Sequence, residues 1–284
     1  MSGTLYVVAT PIGNLEDITL RALRVLREVD VIAAEDTRRT ARLLQHHAIS
    51  TRTVSFHAHN VHSRTPQLIS RLQAGAKVAV VTDAGTPGVS DPGLELVQAA
   101  IAGEIVVEPI PGVTAPITAL VASGYPMVPF TMYGFPPSRS HARLTWLENV
   151  SRTEHAFSLF EAPHRIRQTL REAAQYFGER HITIARELTK VHQEFIRGTV
   201  SEIAEALIAP RGEFTVIVGP RVITRHENML HATDDAVVEE FCRLTDSSQI
   251  SRREAVRLIA RGSGRSSKDV YSVIERAKNW SNNK

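Results

Sequence analysis

Short apolar runs alternate with helical stretches along the first part of the chain. Strand-like runs lie at 5–9, 31–34, 54–56, 78–81 and 105–110. Helices are predicted at 20–29, 40–47, 67–73 and 114–123. Asp17 is the expected N-cap of the first helix, and Gly75 closes the third as its C′ residue. Strands separated by helices, with the glycine- and proline-rich loops on the strand-to-helix side, predict a parallel sheet with right-handed crossovers.

A second α/β region follows a break at 124–126. Strands are predicted near 130–135 and at 156–160, 182–186 and 214–219, with a helix at 166–177 and an arginine-bearing connection at 136–143. The polar stretch 221–232 is typical of a linker, and helices are predicted beyond it at 237–244, 251–260 and 267–277. The predicted domains are therefore 1–126, 127–222 and 232–284.

Two loops of the first region are rich in glycine and proline. The first is TDAGTPGVSDPG at 82–93, and the second is PIPGVTA at 109–115. Glycine lets a ligand approach the backbone and proline fixes φ, so such loops can be both shaped and stiff. Because parallel strands end at one edge, we predict that both loops face one binding crevice. Two ordinary connecting loops are the alternative. The chain has neither GxGxxG nor GxxxxGK[ST], which disfavours standard dinucleotide and P-loop sites.

Composition narrows the class of protein. The 284 residues suffice for two domains with real cores, and 43% of them are apolar. No apolar run approaches the roughly 20 residues that span a bilayer, and the N-terminus lacks the form of a signal peptide. We therefore expect a cytoplasmic protein. Cys242 is the single cysteine, which excludes a cysteine-based metal site. His57 and His59 lack further ligands at a familiar spacing, so loop polarity or a substrate contact is favoured over a metal.

The C-terminal segment is basic. Residues 243–284 carry ten lysines and arginines against four acidic residues, whereas the rest of the chain is mildly acidic. This predicts a polyanionic partner, nucleic acid before membrane, with a solvated helical surface as the alternative. Ser251 is the expected cap of the middle helix, and Ser266 or Ser267 that of the last, on either side of a turn at 261–264. The pattern fits a helix-turn-helix, and a packing or dimerisation hairpin equally well.

Eight ordered motifs give the chain a family resemblance. They are ATPIGNL (9–15), AEDTR (34–38), FHAHN (56–60), TDAGTPGVSDPG (82–93), PIPGVTA (109–115), GFPP (134–137), FEAPHR (160–165) and ARELTK (185–190). On these residues the chain resembles the tetrapyrrole-methylase-like superfamily of S-adenosylmethionine (SAM) enzymes. Within it, the chain is similar to the ribosomal RNA small subunit methyltransferase I family. Pro11, Ile12, Gly13 and Asn14 replace the GxGPGD loop of tetrapyrrole-modifying relatives, which speaks against a tetrapyrrole substrate.

The resemblance implies both a fold and an activity. The fold is α/β, with a parallel-sheet N-terminal domain, a mixed-sheet second domain and a small helical C-terminal tail. The activity is SAM-dependent 2′-O-methylation of a decoding-centre cytidine, cytidine 1402, in 16S rRNA. The implied partners are 16S rRNA or the 30S subunit and a second copy in a homodimer. A small-molecule SAM methylase of the same fold and a non-catalytic ribosome-assembly factor are the alternatives.

Site residues are carried over from the family or chosen by residue type. The implied SAM contacts are Pro11, Asp83, Ala84, Gly85, Thr86, Pro87, Thr114, Ala115, Phe160, Gly212, Glu213 and Phe214. A ribose hydroxyl is weakly acidic, so a general base would help, and the candidates are Asp36, His57, His59, Glu161 and Glu187. The candidates for RNA phosphates are Arg38, Arg165, Arg186 and Lys190, with Arg252, Arg253 and Arg257 in the tail.

Overall fold

The computed structural model describes residues 3–89, 91, 93–207, 211–221, 233–247 and 250–281. Contacts divide the chain into two compact units, Met1–Pro220 and Arg221–Lys284. Both predicted α/β regions lie in the first unit, and the predicted boundary near 126 falls between its two sheets. Among the described residues, no helix has the length and apolar character to cross a membrane.

The N-terminal sheet is parallel throughout. Its strands are β1 (Thr4–Val8), β2 (Val31–Ala34), β3 (Thr53–Ser55), β4 (Lys77–Val81) and β5 (Val106–Ile110). Its helices are α1 (Leu20–Glu28), α2 (Thr37–His46), α3 (Val61–Gln73), α4 (Leu94–Ala102) and α5 (Ala115–Val121). The strand order is β3-β2-β4-β1-β5. Val78 and Val80 pack in one hydrophobic cluster and Ala79 and Val81 in another. Helices therefore cover β4 on both faces, as its continuous apolar run predicts.

Helix starts in this region differ from the predictions. Asp17 ends a short 3-10 helix (Leu15–Asp17) and is not the N-cap of α1. Thr19 caps α1 instead, because its Oγ1 accepts a hydrogen bond from Ala22 N–H at 3.1 Å. Helix α3 begins at Val61, six residues before the predicted start, and contains Pro66 in its interior. The prediction of Gly75 beyond the end of α3 is confirmed by its φ of +94°.

The second sheet is mixed. Its strands are β6 (Phe130–Met132), β7 (Ala156–Glu161), β8 (His181–Arg186), β9 (Glu194–Thr199) and β10 (Phe214–Val218). The helices beside it are α6 (Ser140–Ser151), α7 (Ile166–Phe177) and α8 (Val200–Ala206). The order is β6-β7-β10-β8-β9, in which only β6 and β7 pair in parallel. The predicted mixed sheet is thus confirmed.

Three elements of this sheet region were missing from the prediction. Helix α6 lies in part within the predicted connection 136–143, and it buries Arg143 alongside Leu147 and Val150. A buried arginine breaks the apolar pattern, and Arg143 is stabilised there by Glu172, with Nε and Oε2 2.6 Å apart. Strand β9 is mostly exposed or half-buried and carries charged residues, so it has no apolar run. Helix α8 begins with a capping box of Thr199 and Glu202.

The C-terminal unit contains three helices in its described part. They are α9 (Asp234–Ser247), α10 (Arg252–Ser263) and α11 (Ser267–Ser281). Ser251 caps α10, as predicted, and Ser266 Oγ accepts a hydrogen bond from Asp269 N–H at the start of α11. Gly264, at φ +65°, ends α10 in the left-handed conformation that glycine adopts easily. The predicted linker lies outside the described residues except for Arg221.

Candidate functional site

The loops that leave β1 and β4 are joined to each other. The N–H groups of Thr10 and Gly85 each donate to the other's carbonyl oxygen at 2.9 Å. Thr10 Oγ1 also donates to Thr82 O at 3.1 Å. Gly85 has a φ of +82°, a conformation that side chains other than glycine rarely adopt. These bonds fix the glycine-rich loop against the first strand.

The loop after β5 completes this edge of the sheet. Gly112 approaches the end of β1 so closely that an added Cβ would lie 2.8 Å from Ala9 Cβ. Thr86 Oγ1 donates to Val113 O at 3.3 Å and so joins the loops after β4 and β5. Three loops from neighbouring strands therefore form one surface at the carboxyl ends of the sheet.

A cleft of about 410 Å³ lies between this surface and the second sheet. Both glycine- and proline-rich loops line it, which confirms the prediction of a shared crevice. The opposite wall includes Phe135 and Phe160, whose ring centroids lie 5.3 Å apart. An apolar wall together with a few polar groups is the usual composition of a small-molecule site.

Most of the predicted SAM contacts meet in this cleft. Those that line it are Asp83, Ala84, Gly85, Thr86, Thr114, Ala115, Phe160, Glu213 and Phe214. Pro11 lies in an adjoining pocket of about 450 Å³, which shares five lining residues with the cleft, namely Ile12, Arg39, Asp83, Ala84 and Glu213. Pro87 and Gly212 line neither cavity. An added Cβ at Gly212 would lie 2.5 Å from Glu187 Oε1, so this glycine makes room for Glu187.

An acidic cluster lines the cleft beside Arg39. Glu35 Oε2 accepts from Asp83 N–H at 3.1 Å, and Asp83 Oδ2 lies 3.5 Å from Arg39 Nη1. Burial raises the pKa of Glu35, and the negative charge of Asp83 raises it further. The hydrogen bond from Asp83 N–H lowers this pKa but does not outweigh burial. Burial and the charges of Glu35 and Asp83 also raise the pKa of Asp91, to about 7.

Glu161 lines the cleft, but its carboxylate is already bonded. Its side chain is fully buried. Oε2 accepts from Thr169 Oγ1 at 2.5 Å and from Arg165 Nη2 at 3.1 Å. Oε1 accepts from Ala162 N–H at 2.8 Å. This arrangement joins the end of β7 to the start of α7, which is a positioning role.

The other candidate bases lie away from the cleft lining. Asp36 caps α2 and forms an ion pair with Arg38, whose hydrogen bonds lower the pKa of Asp36. Burial acts to raise the pKa of Glu187, but hydrogen bonds from Lys190 and from Glu213 N–H outweigh it and lower that pKa.

The candidate bases His57 and His59 lie close together, with ring centroids 5.9 Å apart. His57 N–H donates to Asn60 Oδ1 at 2.8 Å, which starts the turn into α3. His57 Nδ1 is buried without a partner in the described structure. Within the described ranges, no three His, Cys, Asp or Glu side chains form a group able to hold a metal ion.

The predicted RNA contacts of the first unit all have acidic partners. Arg38 pairs with Asp36 at 3.2 Å, Arg165 with Glu161 at 3.1 Å, Arg186 with Glu194 at 3.3 Å and Lys190 with Glu187 at 3.0 Å. Arg38 remains 88% exposed at its side chain, whereas Lys190 lines the adjoining pocket. Arg252, Arg253 and Arg257 lie in the C-terminal unit, where they line a separate groove.

Three charged residues of the cleft were missing from the predicted site. Glu35, Arg39 and Asp91 each lie in or beside a motif that the sequence displays, AEDTR at 34–38 or SDPG at 90–93. For Glu35 the signal was its position, because it directly follows the buried strand β2, much as Asp83 comes two residues after β4.

Known proteins have a similar fold. The family described as Tetrapyrrole (Corrin/Porphyrin) Methylases matches residues 4–204. Uroporphyrin-III C-methyltransferase from Thermus thermophilus, solved in complex with S-adenosyl homocysteine, has a TM-score of 0.55 at 19% identity and covers 76% of this chain and 97% of its own. Diphthine synthase has a TM-score of 0.62 at 14% identity, over 77% of this chain and 90% of its own. These similarities confirm the predicted fold class.

Sequence relatives are considerably more similar. A protein of Halalkalibacterium halodurans named ribosomal RNA small subunit methyltransferase I is 44% identical over 95% of this chain and 94% of its own. A Synechocystis protein of the same name is 48% identical over 76% of this chain and 78% of its own. One from Micromonospora olivasterospora is 49% identical over 76% and 70%. The chain therefore belongs to the ribosomal RNA small subunit methyltransferase I family of the tetrapyrrole methylases.

Proposed function

We propose that this methyltransferase moves a methyl group from SAM to the ribose 2′-oxygen of a decoding-centre cytidine, cytidine 1402, in 16S rRNA. The observation that carries the proposal is the cleft, because nine of the twelve donor contacts implied by the motifs line it together. The names of the relatives support rRNA as the substrate. One structural neighbour was solved with S-adenosyl homocysteine bound, which supports SAM as the donor because this molecule is what remains of SAM after methyl transfer.

The cleft suits a donor that has both an apolar and a charged part. Phe160 and Phe135 offer an aromatic wall for the adenosine end. The loop around Gly85 and Thr86 is held by its own backbone hydrogen bonds to Thr10, so it offers the donor a surface that is already ordered. The carboxylates of Glu35, Asp83 and Asp91 favour a cationic sulfonium nearby. Holding donor and acceptor in line supplies a large part of the rate for such a displacement.

The reaction needs a destination for the hydroxyl proton. As the O–CH3 bond forms and the S–CH3 bond breaks, sulfur keeps the electron pair and becomes a neutral thioether. We infer that Asp91 accepts the proton. It lines the cleft, and no residue in the described part of the chain donates a hydrogen bond to it. A pKa of about 7 leaves a large fraction ionised at neutral pH while keeping the carboxylate basic. Glu161, by contrast, is occupied by Thr169 and Arg165.

The proposed substrate is a polyanion, and Arg38 is an exposed cation of the first unit that can meet it. Its guanidinium is largely exposed and held by Asp36 at 3.2 Å, a contact that an RNA phosphate can replace. Arg186 and Lys190 act in the same way from the end of β8 and the loop after it. From the proposed rRNA substrate we infer a cytoplasmic location. By family resemblance we infer a homodimer.

The test is methyl transfer from labelled SAM to 30S subunits and, separately, to free 16S rRNA, followed by mapping of methylated riboses. Label on the 2′-oxygen of cytidine 1402 supports the proposal. Label on a base, or on uroporphyrinogen alone, overturns it in favour of a different methylase. Calorimetry that detects no SAM binding indicates a non-catalytic assembly factor instead. Sedimentation of the full chain measures the inferred dimer independently.

A further inference from the structure

A groove of about 630 Å³ lies on the C-terminal unit between α10 and α11. Helix α10 contributes Arg252, Arg253 and Arg257 to its lining, and α11 contributes Lys268 and Tyr271. The helices of this unit pack around a separate core that includes Val237, Ala255 and Val270. The groove therefore lies between helices that are packed against each other.

The cations of the unit fall into two groups. Arg243 pairs with Glu240, and Arg265 and Arg276 both pair with Asp234. The four cations of the groove form no ion pair with any other described residue. Glu275 is the one acidic residue in the described lining of the groove. Four cations against one carboxylate leave the groove strongly positive, so it complements a polyanion.

Tyr271 adds a second kind of contact. Its side chain lies in the groove, yet the residue is 59% exposed. The groove therefore presents an accessible aromatic ring among its cationic side chains. Nucleobases stack on such rings while basic side chains contact the phosphates, which is the usual composition of a site for single-stranded nucleic acid.

We propose that this groove binds an unpaired RNA segment, with a base stacked on Tyr271 and the flanking phosphates bound by Arg252, Arg253, Arg257 and Lys268. A duplex would bury its bases away from Tyr271 and use only the cations. The choice of RNA rests on the proposed rRNA substrate, whereas binding itself is measurable without methyl transfer. The groove would then act as a second anchor on the RNA, in addition to the catalytic cleft.

The experiment measures binding of a fluorescent single-stranded RNA oligonucleotide to the full-length protein over a range of salt concentrations. Tyr271→Ala should weaken binding about 5- to 150-fold, the range for loss of one stacked base, and Tyr271→Phe should restore it. Arg253→Gln should lower the slope of log Kd against log salt by roughly 0.7, the value for one phosphate contact. Arg261→Gln is the matched control, because Arg261 is an exposed arginine on α10 that does not line the groove.

Unchanged affinity in Tyr271→Ala, or equal slopes for Arg253→Gln and Arg261→Gln, would overturn the proposal. Equal losses in Tyr271→Ala and Tyr271→Phe would also do so, because a stacking role requires the ring and not the hydroxyl. Tighter binding of duplex than of single strands would contradict the unpaired segment. SAM titration of each variant separates the two proposals. Lost RNA binding with normal SAM affinity locates the defect in the groove, and retained RNA binding without methyl transfer to rRNA refutes only the proposed function.

Discussion

Replacing Asp91 by asparagine tests the proposed proton acceptor. Asparagine keeps the shape of the side chain and removes its charge and its basicity. We expect turnover to fall by roughly 10²- to 10⁴-fold, the usual contribution of a general base. The wild-type activity should rise with pH with its midpoint near pH 7 and level off above that, since the carboxylate must be ionised and its pKa is about 7. The variant should lack this rise.

Asp91→Asn should lower turnover but raise the free energy of unfolding. Moving a pKa from 3.8 to about 7 corresponds to roughly 4 kcal/mol against the ionised form. Asp91 is only half-buried, so solvent screening reduces this to about 1–2 kcal/mol. Because the folded-state pKa is the higher one, the cost is absent below pH 4, builds up as pH rises, and is complete above pH 7. Asp91→Asn removes this cost of holding a charged carboxylate in the folded protein.

Urea unfolding at pH 4 and pH 8, with single-turnover methyl transfer, measures both effects. The free energy of unfolding of the wild type, relative to Asp91→Asn, should be about 1–2 kcal/mol lower at pH 8 than at pH 4. Glu95→Gln is the control, since Glu95 is an exposed carboxylate in the first turn of α4. Glu95→Gln should change neither turnover nor the pH dependence of the free energy of unfolding by a comparable amount.

Two results would refute this reasoning. A variant with normal turnover and weakened SAM binding would make Asp91 a contact of the cationic donor and not a base. A variant that loses turnover but keeps the rise in activity near pH 7 would assign that titration to another group. Glu35 would be the first to examine, because its pKa is also raised.

Three further substitutions test the framework of the site. Glu161→Gln should lower the free energy of unfolding by roughly 2–4 kcal/mol, because it leaves the partly buried Arg165 without its acidic partner. The folded variant should keep the pH profile of the wild type. Urea unfolding measures the first effect and kinetics the second. Gly85→Ala should lower the free energy of unfolding by about 1–2 kcal/mol, because alanine is strained at positive φ, and it should weaken SAM binding in calorimetry. Gly88→Ala is the control, because Gly88 has a φ of +89° and open space around it. This control should show the same strain and near-normal SAM affinity. Arg180→Leu should destabilise by about 3–5 kcal/mol in thermal or urea unfolding, because this buried guanidinium donates to four backbone carbonyls that would lose their donor.

The sequence predicted the parts of the fold that depend on apolar periodicity. The runs at 31–34 and 78–81 became β2 and β4, which are buried on both faces, and the helix at 166–177 was predicted to the residue. Elements without a clear apolar pattern were missed. Helix α6 is the clearest example, since its pattern is interrupted by Arg143, and the partner Glu172 lies on another helix. Periodicity cannot register a pair whose members are brought together only by folding.

The same limit explains why the donor loops were found and the acidic cluster was not. Loops carry their chemistry within one stretch of sequence, as TDAGTPGVSDPG does. The contact of Glu35 with Asp83 depends instead on β2 pairing directly with β4, with Ala34 opposite Val81 in the register. The pattern of apolar runs does not specify that β4 enters the sheet between β1 and β2. Once that order is known, residues that follow the two strands must lie side by side, and a raised pKa for carboxylates there follows from their burial and shared charge.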